Sequence, residues 1–536
     1  MSGLLPPRAS WSSDHDHRRN REDGDVLYVA VALNPLALMH APPRMGVVRT
    51  ELRDALDDEC HRDAMTRGRL SALDGSFLRL ESPQAHMHVG WSAIFAAPEA
   101  GERPTIEALR ERVSGRLDRV PWCRWRLREA PLGLTEPCWV EDRQFDLAAH
   151  VLAPYGPDDQ VSHSAFAALR DELLSRPLDH ARPLWQIVFV PRLEDGSVGM
   201  IGKVHHALVD GMAALQIVGL FSDELPDASS RDDPTPEPAA GEHLVTWALD
   251  SVTQTVSDGL GLVRAATGAA TRPASSVRGA LRGAGRVLRA VREDVLPPAP
   301  NSVLNVPIGS RRSLVGYHAR RLEVRAARRA GGTINDIGLT VVAGALRALA
   351  VRQGEPPHSP LKVMVPVNMR RVGEAGPGNK IAMVNLELPI DLASRAERLD
   401  RVCAQTQRLK TSDRAQATEA LYAASGLLPP PLRSPIVKAM ASPRTFNLTI
   451  SQSPVPRQFS MLGCEVEQVY SVVPIAEGHA LAIGMIRFRQ ELFFGCYADP
   501  DAFPSVKDLP ALLESEMRAL GDMTPALAQR DCRESA

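Results

Sequence analysis

The sequence predicts a chain of mixed helices and strands folded into two domains. Its 536 residues are more than a single hydrophobic core usually holds. A proline-rich, acidic stretch has the composition of a linker, and strand-like and helix-like apolar runs lie on both sides of it. The expected parts are a poorly ordered extension (1–64), an N-terminal domain (65–225), a linker with amphipathic helices (226–300), a C-terminal domain (301–522) and a flexible tail (523–536).

Composition narrows the class of partner and the compartment. The 62 Lys and Arg residues against 64 Asp and Glu give a net charge of −2, so no nucleic-acid partner is expected. The 7 cysteines are scattered and form no CxxC pair, which favours a reducing, cytoplasmic compartment and argues against a disulfide framework or a structural zinc site. No uninterrupted run of about twenty apolar residues is present, so no membrane span is predicted.

The stretch at 198–222, VGMIGKVHHALVDGMAALQIVGLFS, is the centre of the sequence. An apolar run ends in His205 and His206, and after three residues come Asp210 and Gly211. Apolar residues at helical spacing then begin, which predicts a strand, a tight loop and a helix with the aspartate near its N-terminus. A loop that presents imidazoles from the end of a strand is typical of a functional site.

The two histidines are predicted to have different roles. Adjacent side chains on an extended backbone point to opposite faces, so only one imidazole can face a given cavity. A histidine with an ordinary pKa of about 6.5 can accept a proton from a hydroxyl near pH 7. Asp210 can fix the loop or orient an imidazole. Two alternatives stay open: a buried histidine with a capping aspartate, and a zinc site, although no third histidine or clustered cysteine accompanies the pair.

The N-terminal domain is expected to open with a short helix and a strand. Ser71 and Asp74 are suited to begin the helix, and 87–95 has the pattern of a strand. His86 and His88 share one face of that strand, where they could ligate a metal or simply be polar residues at the edge of a cavity.

The segment that precedes the histidines predicts a hairpin. Helices are expected at 106–117 and 165–175. Residues 177–190, PLDHARPLWQIVFV, then lead into a hairpin whose return strand carries the two histidines. Trp185 in this stretch is interpreted as a core residue.

The linker contains one basic helical pattern. An arginine stripe lies beside an apolar face, which is typical of contact with a lipid surface, or else of a solvated helix that covers the domain junction. Nearby glycines weaken the helix prediction. The stripe consists of Arg278, Arg282, Arg286 and Arg289.

The C-terminal domain is predicted to contain a long apolar helix and several strands. Asn335 and Asp336 are expected to cap the helix at 337–349. An amide at a helix N-terminus could also stabilise a developing oxyanion, with simple capping as the alternative. Further expected elements are strand pairs within 363–389 and 479–499 and a last helix ending near residue 520.

These motifs resemble those of a known family. HHALVDG matches the HHxxxDG signature of the coenzyme A-dependent acyltransferase superfamily. Its surroundings resemble the bacterial wax ester synthase / acyl-CoA:diacylglycerol acyltransferase family over roughly residues 66–520. The family-like motifs, in chain order, are "LDxxF", "MHVG", "PLDxxRPLW", "LNxPIG", "TxND", "PVNxR" and "GNxxxxxxxxLP".

The resemblance implies a fold and a reaction. The fold class would be α/β (α+β), with two chloramphenicol-acetyltransferase-like domains whose mixed sheets are flanked by helices and separated by a channel. His206 would be the general base of a direct acyl transfer, beside His205, with Asp210 structural and Gly211 completing the motif. Acyl-CoA would be a co-substrate, with diacylglycerol or a long-chain alcohol as acceptor and no cofactor or metal. No GxSxG elbow is present, in agreement with transfer without an acyl-enzyme.

One segment departs from the family pattern. In FNLTISQSPVP (446–456), Ser451 is kept, whereas Gln452 and Val455 stand where Asn and Gly are expected. Loss of a glycine changes how closely the backbone can approach a ligand, so substrate preference is the property most affected. The candidate substrate-binding residues are Asn335, Asp336 and Ser451.

Two other functions remain as alternatives. The chain could be a polyketide-associated or condensation-type acyltransferase with another donor or acceptor, or a non-catalytic lipid-binding homologue. For the preferred function, we expect peripheral attachment to the inner membrane face or to lipid inclusions, because the acceptor is insoluble. The sequence does not indicate which oligomeric state the protein adopts.

Overall fold

The structure is a computed structural model, and the chain divides into two compact units, Met1–Arg62 and Asp63–Ala536. All described residues belong to the second unit. They are 70–98, 103–129, 136–224, 285, 288–289, 292, 297–370, 378–426, 428–453 and 458–523. The predicted N-terminal extension, most of the linker and nearly all of the tail therefore lie outside the described residues, as does the arginine stripe apart from Arg289.

The described residues form a mixture of strands and helices, as the sequence predicts. The strands are β1 (His88–Phe95), β2 (Trp125–Arg128), β3 (Cys138–Glu141), β4 (Val151–Leu152), β5 (Trp185–Val190), β6 (Val198–His205), β7 (Ser313–Ala319), β8 (Leu361–Asn368), β9 (Ile381–Leu388), β10 (Leu448–Ser453), β11 (Ser460–Met461), β12 (Cys464–Val472), β13 (Leu481–Phe488) and β14 (Glu491–Ala498). The helices are α1 (Ala72–Leu80), α2 (Ile106–Ser114), α3 (His163–Leu174), α4 (Gly211–Phe221), α5 (Arg321–Ala327), α6 (Ile334–Arg352), α7 (Arg395–Thr411), α8 (Arg414–Ser425), α9 (Pro430–Met440) and α10 (Leu509–Gly521).

The first sheet carries the histidine loop. Its six strands follow the order β11-β12-β1-β6-β5-β4. The predicted hairpin is confirmed, because β5 and β6 pair in antiparallel fashion and β6 ends at His205. Every residue of β6 is buried, as expected for a central strand covered on both faces. Trp185 at the start of β5 is a core residue, as predicted, with 1% of its surface exposed.

The second sheet has the order β7-β14-β13-β10-β8-β9. The predicted strand pairs β8/β9 and β13/β14 are confirmed as antiparallel pairs. Between them, β10 runs parallel to both β8 and β13. The sheet is therefore mixed, in agreement with the expected fold class.

The two sheets are not built from separate halves of the sequence. Strand β12 comes from the C-terminal half, yet it pairs with β1 in the first sheet, where Gly90 lies opposite Val472 and Trp91 opposite Ser471. The predicted C-terminal domain at 301–522 thus includes strands of both sheets.

Helix capping agrees with the sequence at one site and differs at another. The Ser71 hydroxyl accepts the Asp74 N–H at 3.1 Å and begins α1, as predicted. Helix α6 begins one turn earlier than expected, with Thr333 as its N-cap and Asp336 completing a capping box. The prediction that Asn335 is a capping residue is therefore wrong.

Helix α6 is also the one described helix long and apolar enough to span a membrane by length and composition. Its buried fraction, 72% of the apolar window, is that of a core helix. It packs against α7 and α10 beside the second sheet. No disulfide joins the cysteines of the described residues, which are at 123, 138, 403, 464 and 496.

Candidate active site

The histidine loop is held by the backbone of the neighbouring strand. The His206 N–H donates to the Met87 carbonyl at 2.9 Å, and the His205 N–H donates to Leu184 at 2.9 Å. Met87 has a φ of +44°, in the left-handed region that non-glycine residues seldom adopt. Backbone strain of this kind is found where surrounding structure enforces a functional geometry.

The His206 side chain lies on the wall of a cavity and is 9% exposed. Its ring stacks on Phe77 with centroids 4.0 Å apart and planes 3° from parallel. Its Nδ1 is buried and has no hydrogen-bond partner among the described residues. Burial lowers the pKa of His206 to about 4, so the imidazole is neutral at pH 7 and able to accept a proton.

The His205 side chain points away from the cavity, which confirms that the two imidazoles face opposite ways. It is fully buried, and its Nδ1 accepts the Ala207 N–H at 3.1 Å. With Nδ1 as an acceptor, the ring nitrogen that can donate is Nε2, which lies 3.5 Å from Glu81 Oε2. The same carboxylate oxygen lies 2.9 Å from Nε2 of His180.

Glu81, His180 and His205 form an ion-pair cluster behind the histidine loop. Burial raises the pKa of Glu81, but hydrogen bonds from the two histidines outweigh it and the pKa falls to about 2. The hydrogen bond to Glu81 raises the pKa of His180 above its ordinary value. Glu81 is consequently an anion across the physiological range, and it stabilises protonated His180.

This cluster is also the one group of metal-ligating side chains within 4.8 Å of one another among the described residues. Its hydrogen bonds do not suit a metal, because His205 Nδ1 already accepts a proton donor and Nε2 would need to lose its own proton to coordinate. The zinc alternative for the histidine pair gains no support from this arrangement. His86 and His88 are buried on other partners, with Nε2 3.1 Å from the Pro83 carbonyl and 3.3 Å from the Tyr497 hydroxyl, respectively.

Asp210 joins the histidine loop to the second sheet. Its Oδ1 accepts the Ala213 N–H at 2.8 Å and caps α4. Its Oδ2 accepts Nε of Arg370 at 2.7 Å and the Lys380 N–H at 3.1 Å. The ion pair is buried, with 1% of the Asp210 side chain and 4% of the Arg370 side chain exposed.

Asn379 makes a second link at the same place. Its Nδ2 donates to the His206 carbonyl at 2.6 Å and to Asp74 Oδ1 at 2.7 Å. Burial raises the pKa of Asp74 above its ordinary value, although hydrogen bonds with Asn379 and Ser71 oppose the shift. Together these bonds fix the backbone of His206 from both halves of the sequence.

The roles of Asp74, Asn379 and Arg370 were not predicted. Each belongs to a motif that resembles the family, "LDxxF", "GNxxxxxxxxLP" or "PVNxR", and only Asp74 was also expected to begin a helix. A charged or amide side chain inside a motif of this kind could have indicated a buried polar contact, because such side chains are seldom buried without a partner.

A cavity of about 540 Å³ opens beside His206, between the two sheets. Its size lies within the roughly 300–1,000 Å³ typical of small-molecule sites. Most of its wall is apolar, with contributions from α1, β1, α4, α9 and strands of both sheets. Representative lining residues are Leu73, Phe77, Trp91, Val218, Met364 and Met440.

Comparison with known proteins identifies the family. The profile described as "Wax ester synthase/diacylglycerol acyltransferase catalytic domain" matches residues 70–338, half of the chain. The "WS/DGAT C-terminal domain" matches residues 377–521. The chain belongs to the wax ester synthase/diacylglycerol acyltransferase family.

Relatives and solved structures agree with this assignment. A putative diacylglycerol O-acyltransferase of Mycobacterium tuberculosis H37Rv is 29% identical over 478 residues, 85% of this chain and 91% of the relative. A probable diacylglycerol O-acyltransferase of the same organism, tgs1, is 28% identical over 467 residues, 84% of this chain and 95% of the relative.

The solved structures are more distant in sequence and show the shared fold. The wax ester synthase/diacylglycerol acyltransferase of Marinobacter aquaeolei VT8 has a TM-score of 0.57 and 23% identity, covering 84% of this chain and 98% of that one. The first condensation domain of the calcium-dependent antibiotic synthetase has a TM-score of 0.52 and 16% identity, covering 86% and 96%, respectively. These matches agree with the expected chloramphenicol-acetyltransferase-like fold.

In this acyltransferase, the structure brings some predicted site residues together and separates others. Ser451 and Gln452 lie on the wall of the cavity that contains His206, and Gly211 begins α4. Val455 lies outside the described residues. Asn335 and Asp336 do not line the cavity.

The contacts of Asp336 are those of a capping residue. Its Oδ2 accepts the Thr333 N–H at 2.8 Å, and its Oδ1 accepts the Thr406 hydroxyl at 2.6 Å. The simple capping interpretation therefore accounts for Asp336. An oxyanion role for Asn335 has no support from its position in this structure.

Proposed function

We propose that this family member transfers a long-chain acyl group from acyl-CoA to the hydroxyl of diacylglycerol, with a long-chain alcohol as a second acceptor. His206 is the general base. The observation that carries the proposal is the position of the His206 imidazole on the wall of an apolar cavity of about 540 Å³. Acyl-CoA enters as a co-substrate, and no cofactor or metal takes part in the proposed steps.

The proposed reaction is a direct transfer. The imidazole of His206 removes the proton of the acceptor hydroxyl as its oxygen attacks the thioester carbonyl carbon. The carbon–oxygen bond forms, the carbon–sulfur bond breaks, and the imidazolium returns its proton to the departing thiolate. General base catalysis contributes about 10²–10⁴-fold, and positioning of the two substrates supplies much of the remainder.

The cavity wall supports a lipid substrate. Aliphatic, aromatic and methionine side chains dominate the lining, and each methylene buried there gains about 0.8 kcal/mol. Phe77 holds the His206 ring flat by stacking, so the imidazole keeps one orientation toward the cavity. A long acyl chain is thus bound mainly by the hydrophobic effect, while His206 acts on the reacting hydroxyl.

The test compares His206→Ala with wild type in an assay of palmitoyl-CoA with diacylglycerol and hexadecanol. Free CoA thiol and both ester products are quantified. We expect His206→Ala to lose both esters while its thermal unfolding stays near that of wild type. His163→Ala, at an exposed ion pair with Asp195, is the matched control and keeps wild-type turnover.

Three outcomes contradict the proposal. Retained turnover in His206→Ala removes the general-base role. A need for a carrier protein in place of free acyl-CoA favours a condensation-type enzyme. Lipid binding by wild type without release of CoA thiol favours a non-catalytic homologue.

We further propose that the protein acts in the cytoplasm, attached peripherally to the inner membrane face or to lipid inclusions. Helix α9 supports this location. Its Leu432 and Ile436, one helical turn apart, are 63% and 39% exposed, whereas Val437 and Met440 line the cavity. One short helix therefore borders both solvent and the proposed lipid site, and an exposed apolar face of this kind can enter a lipid surface.

Flotation with phospholipid vesicles tests this location. The double variant Leu432→Ser, Ile436→Ser is expected to bind vesicles less than wild type, because two apolar side chains no longer enter the lipid. Leu322→Ser, at a residue 78% exposed on α5, is the matched control and binds as wild type does. Equal vesicle binding by all three proteins would contradict a role for α9.

A further inference from the structure

Helix α1 approaches His206 at two separate points. Phe77 stacks on the imidazole, with the ring centroids 4.0 Å apart. Asp74 lies three residues earlier and therefore on the same face of the helix. Its carboxylate is joined to the His206 carbonyl through the side chain of Asn379. One short helix thus contacts the ring of the proposed general base and also supports its backbone.

Asp74 is a buried carboxylate whose hydrogen-bond partners are uncharged. It is 5% exposed, and no cationic side chain forms an ion pair with it within the described part of the chain. Its Oδ1 accepts the backbone N–H of Asn379 at 2.8 Å and the Nδ2 of the same residue at 2.7 Å. A buried carboxylate is costly without such bonds. Helix capping does not account for them, because Ser71 is already the N-cap of α1.

The residue before Asn379 makes room for this contact. Gly378 has a φ of +82°, and a Cβ at this position would lie 3.1 Å from Oδ2 of Asp74. Its N–H donates to the Leu208 carbonyl, inside the histidine loop, at 3.0 Å. A side chain here would strain the backbone and crowd the carboxylate. The glycine therefore lets this segment lie against both α1 and the histidine loop.

Asn379 joins the position of Asp74 to that of His206. Its Nδ2 has two hydrogens, and it donates to Asp74 Oδ1 at 2.7 Å and to the His206 carbonyl at 2.6 Å. An amide that is bound on both sides keeps one orientation. The backbone of His206 is consequently held at a fixed distance from α1.

The ring contact and the backbone contact complement each other. A fixed backbone alone leaves the side-chain torsions of His206 free to change rotamer, and a stacked ring alone does not fix the backbone behind it. Phe77 and Asp74 belong to the same helix and are both buried, so a shift of α1 displaces both contacts together. The direction of the imidazole nitrogens in the cavity depends on the pair.

We propose that Asp74 is a positioning residue for the acyl transfer. It holds the backbone of His206 through Asn379, and it keeps α1 in the place where Phe77 stacks on the imidazole. We call Asp74, Phe77 and Asn379 the clamp. This inference rests on the proposed general-base role of His206. Asp74 and Asn379 do not line the cavity, so they act on the reaction only through the histidine.

The kinetic test is a double-mutant cycle of Asp74→Ala and Phe77→Leu, with palmitoyl-CoA and diacylglycerol as substrates. We expect each single substitution to lower kcat about 10- to 10²-fold, because a small displacement of a catalytic group costs this much. The KM for palmitoyl-CoA in Asp74→Ala should stay within about threefold of wild type. Since the two residues act as a unit, the double variant should lose about as much as the stronger single variant. Losses in kcat that multiply would overturn the clamp.

Two milder variants keep the test informative where Asp74→Ala does not fold. Asp74→Asn keeps an oxygen that can accept both bonds from Asn379, so kcat should stay within about threefold of wild type. Asn379→Ser removes the amide between Asp74 and His206 but keeps the backbone N–H that donates to Asp74. It is expected to lower kcat about 10- to 10²-fold. A normal kcat in Asn379→Ser would overturn the clamp.

Thr105→Ala is the matched control. Thr105 caps α2, where its hydroxyl accepts the Ala108 N–H at 3.2 Å, and it does not line the cavity. Its loss weakens the start of another helix and should lower the melting temperature without changing kcat. A loss of kcat equal to that of Asp74→Ala would mean that any loosened helix lowers turnover, and it would overturn the clamp.

A spectroscopic measurement separates the clamp from the proposed chemistry. In the full-length protein labelled with ¹³Cε1-histidine, the His206 signal is the one that His206→Ala removes. The ring current of Phe77 shifts this signal, and Phe77→Leu abolishes the shift. We expect Asp74→Ala to abolish it as well, which would support the clamp even if His206 is not the base. A shift that Asp74→Ala leaves unchanged would overturn the clamp even if the chemistry is correct.

Discussion

His205 and His206 are neighbours in sequence and opposites in environment. The His206 ring lies on Phe77 at the edge of an apolar cavity, and its Nδ1 has no partner among the described residues. The His205 ring is fully buried on the other side of the strand, between the Ala207 N–H and the carboxylate of Glu81. The surroundings, rather than the residue type, decide which imidazole can do chemistry.

The difference also shows what each side of the strand requires. On the cavity side, burial keeps the imidazole of His206 neutral and leaves it free to accept a proton from a bound hydroxyl. On the other side, the Glu81 anion, with a pKa of about 2, fixes His205 and His180 in place. One half of the dipeptide is therefore suited to turnover and the other to stability.

The largest expected effect comes from a comparison of the substitutions His206→Gln and His205→Gln. We expect the first to lower kcat by about 10²–10⁴-fold, because the general base is lost. The second is expected to lower the melting temperature and to change kcat far less. Steady-state kinetics and thermal unfolding of both variants give the answer, and equal losses of kcat would remove the distinction.

The pH dependence provides the next test. Protonated His206 cannot act as a base, and its lowered pKa moves that loss toward acid. We expect kcat/KM to be flat from pH 8 to about pH 5 and to fall as pH approaches about 4. A histidine with the ordinary pKa of about 6.5 would already have lost about 30-fold at pH 5. Circular dichroism over the same range is the control for unfolding.

Asp210→Ala tests how strongly the ion pair with Arg370 holds the loop that carries both histidines. Removal of one partner from the buried ion pair with Arg370 is expected to lower the free energy of unfolding by about 3–5 kcal/mol. Urea denaturation measures the change. Asp501→Ala, which removes an exposed ion-pair partner of Arg311, is the control and costs less than about 1 kcal/mol. A small loss in Asp210→Ala would mean that the loop is held by other contacts.

The smallest expected effect is that of Glu81→Gln on the non-catalytic side. We expect a loss of about 1–3 kcal/mol in the free energy of unfolding and less than a tenfold change in kcat. Because the pKa of Glu81 is lowered to about 2, its contribution is present at neutral pH and disappears as pH falls through that value. Because Glu81 also raises the pKa of His180, protonation of His180 adds to this contribution as pH falls from 7 to 5. The difference between wild type and variant should therefore be at least as large at pH 5 as at pH 7, and a difference that vanishes at pH 5 would contradict the ion pair.

Local features of the site could be predicted from the sequence. The β5–β6 hairpin, the loop after His205 and the start of α1 at Ser71 follow from periodicity and capping within about twenty residues. The opposite orientation of the two imidazoles follows from strand geometry alone. Their environments do not: burial lowers the pKa of His206 to about 4, and burial is a property of the folded chain.

Long-range partners could not be predicted. Asn379 and Asp74 are 305 residues apart in the sequence, and nothing local to either specifies the other. The same holds for Trp91 and Ser471, because alternation predicts a strand without naming its neighbour. At α6, the N-cap is Thr333, two residues before the predicted Asn335. Helix boundaries are the part of a helix that sequence patterns locate least accurately.

Strand β12 has a consequence for how this enzyme is made. Since the edge of β1 is covered by residues 464–472, a nascent chain released before that point would present an open strand to other polypeptides. One wall of the acyl site would also be missing from any such fragment. Division of the gene at the linker should therefore yield aggregation-prone halves that regain activity only when both are produced together.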